Sequence, residues 1–224
     1  MNILDTVEDI IHHKNGIIFQ INQIEECLLI LKSISDDMEK LNSSKFSNYF
    51  AFTEKLLIEK ILLSLSKIYD QYDSKKENKV RSIKQLIKLL NNAPNINFYF
   101  FSNGRYNKNF LKNLSLDKIK SNQALVNLIK KENPLGKKKI RDKITELRNK
   151  YLAHNEQHYK ISDDKNLSWG EFYELLYFAQ DCIHTISSLC LNKSCYINDE
   201  FIKLYSIERT GYCFNNIKEL IKKE

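Results

Sequence analysis

The sequence predicts an all-α fold, an up-and-down helical bundle with additional helices. Three observations lead there. Only 5 Gly and 2 Pro occur in 224 residues, and strand-rich folds need far more turn residues than that. Apolar residues recur at steps of three and four along most of the chain, which is the period of a helix with one buried face. Hydrophobic residues make up 42% and charged residues 28%, a balance that supports a packed core and excludes the disordered class. The length fits one large domain with a modest extension, divided here into a bundle over 1–194 and a C-terminal helical extension over 195–224, docked on it.

The elements follow in order. Over 3–42, Ile3, Val7, Ile10, Ile11, Ile17, Ile18, Ile21, Ile24, Leu28 and Leu31 mark an amphipathic helix that Gly16 breaks in two. A turn at 42–44 leads to a helix over 46–72, apolar on most sides and so expected at the centre of the bundle. A polar loop over 73–78 precedes a short helix over 79–91, closed by Pro94. The aromatic stretch 95–106 reads as irregular chain packed over the core. Helices are expected over 115–132 and 137–154, with Pro134 and Gly136 between them and a polar loop over 155–167 after them. Ser168-Trp169-Gly170-Glu171 is a capping box, in which the Ser hydroxyl caps the third helical amide and the Glu reaches back. It opens a helix to 191.

Lys+Arg 35 against Asp+Glu 28 gives a net charge of +7. Such a surface suits a polyanion such as RNA, and by charge alone it equally suits plain solubility. Cys27, Cys182, Cys190, Cys195 and Cys213 contain no Cys-x-x-Cys pair and read as reduced thiols. The acidic N-terminus lacks the basic region of a signal peptide. No apolar run approaches the roughly 20 residues that span a bilayer. A cytoplasmic protein without membrane contact is expected.

The segment from Lys137 to His154 carries chemistry. At about 100° per residue, Ile140, Ile144, Leu147 and Tyr151 form one buried stripe. Arg148 and His154 flank it, one on each side, about 9 Å apart along the axis. A second copy of this helix packed across the seam brings two Arg and two His together. His titrates near neutral pH and can pass protons. Arg stays charged and grips phosphate oxygens with a planar fork. RNA supplies its own nucleophile, the 2′-hydroxyl, so this chemistry calls for neither metal nor cofactor. By spacing alone, His154 as a helix cap and Arg148 in a surface ion pair are equally compatible with the pattern.

The string Leu147-Arg148-Asn149-Lys150-Tyr151-Leu152-Ala153-His154 resembles the Arg-x(4–6)-His motif of the HEPN superfamily, in its abortive-infection AbiU-type branch. Leu63-Ser64-Leu65-Ser66-Lys67-Ile68-Tyr69-Asp70 resembles an early-helix feature of the same branch. The resemblance implies a HEPN-like bundle, homodimeric, with the motif at the interface. It also implies a metal-independent endoribonuclease acting as a toxin or abortive-infection effector. Arg148 would hold the phosphate, His154 would be the acid/base, and Asn149 would orient the site, although the wheel places Asn149 almost opposite the seam. Lys137, Lys138, Lys139, Arg141 and Lys150 are the candidate RNA contacts. A cognate antitoxin protein is the further partner that toxin–antitoxin membership would bring. Glu156 stands where adenylylated relatives carry Tyr, and Tyr159 is the nearest downstream. The alternative within the superfamily is a catalytically silent module that binds RNA or a protein. Among the other histidines, His12 and His13 read as surface residues, His158 as a loop residue near the motif, and His184 as a satisfied, half-buried one.

Overall fold

The computed structural model describes residues 2–70, 81–93, 96–98, 119–152, 167–197, 200–201 and 216, with backbone alone at 141, 147–152, 196–197 and 200. Eight α-helices and a two-stranded hairpin appear among them: α1 (Ile3–His12), α2 (Ile17–Asp36), α3 (Met38–Ser43), α4 (Ser47–Ile68), α5 (Ile83–Asn92), α6 (Asn122–Glu132), α7 (Lys138–Leu152), α8 (Trp169–Leu191), β1 (Tyr196–Ile197) and β2 (Glu200–Phe201). The fold is the expected all-α bundle. Among the described residues no helix is long and apolar enough to cross a membrane.

The corner between α1 and α2 depends on Gly16. A Cβ there would stand 2.7 Å from the Ile11 carbonyl oxygen and 2.8 Å from that of Ile10, inside the contact limit of any side chain. α2 then packs along α4 over the longest seam of the bundle. The 3–42 region is cut twice, not once: Asp37 (φ −119°, ψ 19°) leaves helical geometry and separates α2 from α3. The run Ser33-Ile34-Ser35-Asp36-Asp37 is rich in side chains that bond to nearby backbone and loosen helices.

Two further starts differ from expectation because serine caps decide them. The Ser82 hydroxyl accepts the Gln85 amide at 3.3 Å and starts α5 at Ile83 rather than 79. The Ser121 hydroxyl accepts the Ala124 amide at 3.2 Å and starts α6 at Asn122 rather than 115. The Ser168–Glu171 capping box forms as expected, with the Ser168 hydroxyl accepting the Glu171 amide at 3.2 Å and the Glu171 carboxylate accepting the Ser168 amide at 2.9 Å. Of the aromatic stretch, Ile96 and Phe98 pack against the core as irregular chain. Apart from the exposed Asn97, the rest of it lies outside the described residues, as do the loops at 73–78 and 155–166.

The central helix is α8, not α4. Every residue from Phe178 to Cys190 is buried, whereas α4 leaves Tyr49, Phe52, Leu56 and Ile58 exposed. α1 and α2 pack against α8, and the Tyr69 hydroxyl at the end of α4 donates to the Leu175 carbonyl at 2.6 Å. Burial pushes that phenol well above its usual range, so it stays neutral. The start of the 195–224 tail is a hairpin, not a helix: Tyr196 pairs with Phe201 and Ile197 with Glu200. Aromatic and β-branched residues favour strands, and these outweigh the helical spacing read from the sequence. Cys195 and Phe201 are buried in the core cluster and dock the hairpin. Most of the remaining tail lies outside the described residues. The four described cysteines are free and buried; burial raises the Cys27 and Cys195 thiols to about 11 and Cys190 to about 12, which makes them inert.

Candidate active site

α7 begins after a 3-10 turn, Pro134–Gly136, in which the Asn133 side chain accepts the Leu135 amide at 2.9 Å. Ile140 and Ile144, the first half of the expected stripe, are buried against the core, and α7 packs along α4. Two ion pairs bind α7 to the first turns of α8. Lys137 meets Glu174 at 2.5 Å on the surface, and Lys143 meets Glu171 at 2.7 Å with its own side chain only 9% exposed. The Lys143 ammonium, aided by the Ser168 amide, holds the Glu171 carboxyl down at about 2, so this carboxylate stays charged at any physiological pH. Glu171 therefore caps α8 and anchors α7. The two partners, Glu171 and Glu174, stand one helical turn apart on α8.

Arg148, Asn149 and Lys150 occupy the last turns of α7. Their side chains, and that of Arg141, lie outside the described ones. His154 and His158 lie outside the described residues altogether, and the expected Arg148–His154 juxtaposition with them. Lys137, Lys138 and Lys139 are exposed at the start of the helix, as a phosphate-contacting cluster requires, and Lys137 is engaged with Glu174.

A cleft of about 240 Å³ opens where α4, α5, α6 and α7 meet. Tyr69 and Asp70 border it from the end of α4, Lys84 and Lys130 from α5 and α6, and Ile144 and Thr145 from α7. The Leu63–Asp70 string therefore borders this depression, together with Ile144 and Thr145, which stand just ahead of the Leu147–His154 string. Arg148 follows Ile144 by one helical turn, so the cleft lies beside the motif segment. Neither the cleft nor Lys143 was predicted, because both depend on contacts between distant segments.

The remaining histidines serve the fold. His12, expected at the surface, is half-buried with Nε2 2.9 Å from the Ser187 hydroxyl, and burial lowers its pKa. His13 Nδ1 accepts the Asn15 amide at 3.1 Å. His184 is fully rather than half buried. Its Nδ1 accepts the Cys195 amide at 3.2 Å, and burial pushes it down to about 4, so it stays neutral and ties α8 to the hairpin.

A family model described as AbiU2, of the HEPN class, matches residues 23–199. That span covers more than three quarters of the chain and includes both strings, the cleft and the whole of α7. Neither the comparison with curated proteins nor that with solved structures returned a match.

Proposed function

The chain belongs to the AbiU2 family of HEPN domains, and from that membership we propose that it is a metal-independent endoribonuclease of the toxin or abortive-infection type. The single observation that carries this reading is position. The match covers Arg148-Asn149 in the last turns of α7 and His154 two residues past its end.

In this reading the 2′-oxygen of one ribose attacks the adjacent phosphorus. A bond to the 2′-oxygen forms and the bond to the 5′-oxygen of the next nucleotide breaks. The products are a 2′,3′-cyclic phosphate and a free 5′-hydroxyl. One proton leaves the 2′-hydroxyl and one reaches the departing 5′-oxygen. His154 handles a proton, and Arg148 holds the phosphate oxygens as charge develops on them. Asn149 orients the site. Lys138, Lys139, Arg141 and Lys150 take flanking phosphates, with Lys137 beside them. Two copies of the chain share the site, so light scattering on the purified protein should give twice 26.5 kDa.

The test is incubation of that preparation with total RNA in excess chelator. Discrete fragments are expected from the wild type. His154→Ala should lower the rate by about 10²- to 10⁴-fold, the usual worth of acid–base catalysis. Arg148→Lys keeps the charge but loses the fork, and should show a large defect too. Equal cutting by wild type and His154→Ala would remove the assignment. RNA binding without cutting by any of them would favour a silent binding module.

A further inference from the structure

α8 opens with three aromatic residues that the core does not take. Trp169, Tyr173 and Tyr177 recur every four residues and are 57%, 37% and 48% exposed. A spacing of four keeps them on one helical face. Their rings are organised as well as exposed. Tyr173 and Tyr177 stack with centroids 5.7 Å apart and planes 23° from parallel. Trp169 and Tyr173 follow at 6.3 Å and 34°. The buried Phe172 ring braces both, edge-on to Trp169 at 5.8 Å and to Tyr173 at 5.4 Å. Contiguous exposed aromatics on a folded domain mark a binding face.

The charge beside this ladder selects the class of ligand. The two carboxylates on its flank, Glu171 and Glu174, are paired with Lys143 and Lys137. Lys138 and Lys139 stand exposed next to Lys137. The face thus combines a ladder of rings with cations along one side, and among the described residues both flanking carboxylates are ion-paired. A second copy seated on it would bring another chain of charge +7 with the same lysines. A polyanion with flat bases uses rings and lysines together.

We propose that the Trp169–Tyr173–Tyr177 face of α8 binds single-stranded RNA by base stacking, with the lysines at the start of α7 holding its phosphates. The proposal rests on RNA being the substrate. Every base has a π-face, so such binding tolerates any sequence. A duplex keeps its bases stacked inside, so the face discriminates against it. The two ion pairs set the ladder's helix beside the start of α7, the helix that carries Arg148. The ladder would feed an unpaired strand to the motif.

Trp169 is the only tryptophan in the chain, so intrinsic fluorescence reports on this face alone. The full chain carrying His154→Ala, which leaves substrate uncut, is titrated with a short unstructured oligoribonucleotide, with the same strand annealed to its complement, and with inorganic polyphosphate. The single strand should quench Trp169 saturably; the duplex and polyphosphate should not. Tyr173→Ala and Tyr177→Ala should each weaken binding by about 5- to 150-fold. Tyr173→Phe, which keeps the ring, should bind like the parent. Absent quenching, equal quenching by the duplex, or tyrosine-to-alanine variants that bind as the parent would overturn the proposal. Emission that changes with protein concentration alone would assign the face to a second copy instead. If the wild type cuts RNA while Trp169 does not respond, the ladder fails and the nuclease reading stands. If Trp169 is quenched but nothing is cut, the reverse holds.

Discussion

The two halves of α8 live in different environments. From Phe178 to Cys190 every residue is buried, and several polar side chains among them are tied to distant elements. Gln180 donates to Glu25 of α2 at 2.7 Å, Ser187 meets His12 of α1, and His184 holds the hairpin, while Thr185 donates to the Asp181 carbonyl of its own helix at 2.7 Å. From Trp169 to Tyr177 only one face is buried, two ion pairs to α7 take the flank, and three aromatic rings face outward. A helix segment buried on every side must be enclosed by its neighbours, so the second half serves as the axis of the fold. The first half carries three exposed rings beside α7, the helix that carries Arg148. In the proposed reading, stability and function are separable along one continuous helix.

That separation can be broken in graded ways. The largest effect on stability should come from the enclosed half. Ile183 is fully buried, and Ile183→Ala should cost about 2–5 kcal/mol through lost transfer energy and the cavity left behind. Tyr177→Ala, on the exposed face, should stay within about 0.5 kcal/mol. Equal losses in urea unfolding would erase the distinction between the halves.

Acid should act on the enclosed half next. His184 sits at about 4 in the folded chain against roughly 6.5 unfolded. Its neutral form is thus favoured by folding, and the stability it contributes is present above about pH 6.5. As pH falls toward 4 the unfolded chain takes up a proton that the folded chain refuses, and up to roughly 3 kcal/mol is lost. Glu171 acts in a lower window: its depressed carboxyl contributes above its ordinary range and loses that contribution as pH falls toward 2. His184→Gln keeps an acceptor for the Cys195 amide and removes the proton site. Its unfolding free energy should vary less between pH 6.5 and 4, and a profile parallel to the wild type would exclude His184 as the cause.

The smallest effect belongs to the exposed edge. Lys138→Gln with Lys139→Gln should flatten the salt dependence of single-stranded RNA binding by up to about 1.4 units, near 0.7 for each phosphate contact. An unchanged slope would reduce the cluster to a solvated helix start. Lys137 is the poorer probe, since removing it also uncovers Glu174.

What the sequence made legible is what depends on neighbours in the chain. The Gly16 corner and the Ser168–Glu171 capping box are local patterns, and each forms as read; of the expected stripe on α7, Ile140 and Ile144 are buried, in the core of their own chain. Ser82 and Ser121 carried equally local cap signals, but the apolar spacing upstream of them masked the starts. Periodicity shows which face of a helix is apolar without showing what covers it. Hence α4 and α8 exchange roles as the central helix. The same limit hid the exposed ladder and the buried Lys143. Arg148 and Asn149 fall on one helix, as expected, and His154 lies outside the described residues. The cleft between Tyr69 and Thr145 needed the packing of α4 on α7, which no single segment encodes.

The chemistry of the RNA ends tests the central claim most directly. Wild-type protein is incubated with RNA in excess chelator, and both ends of each new fragment are determined. Attack by the 2′-hydroxyl predicts 2′,3′-cyclic phosphates paired with 5′-hydroxyls, with no cutting of strands whose 2′-oxygens are methylated and a rate about 10²- to 10⁴-fold lower in His154→Ala. Fragments ending in 3′-hydroxyl and 5′-phosphate, or cutting that persists on the methylated strand, would contradict it.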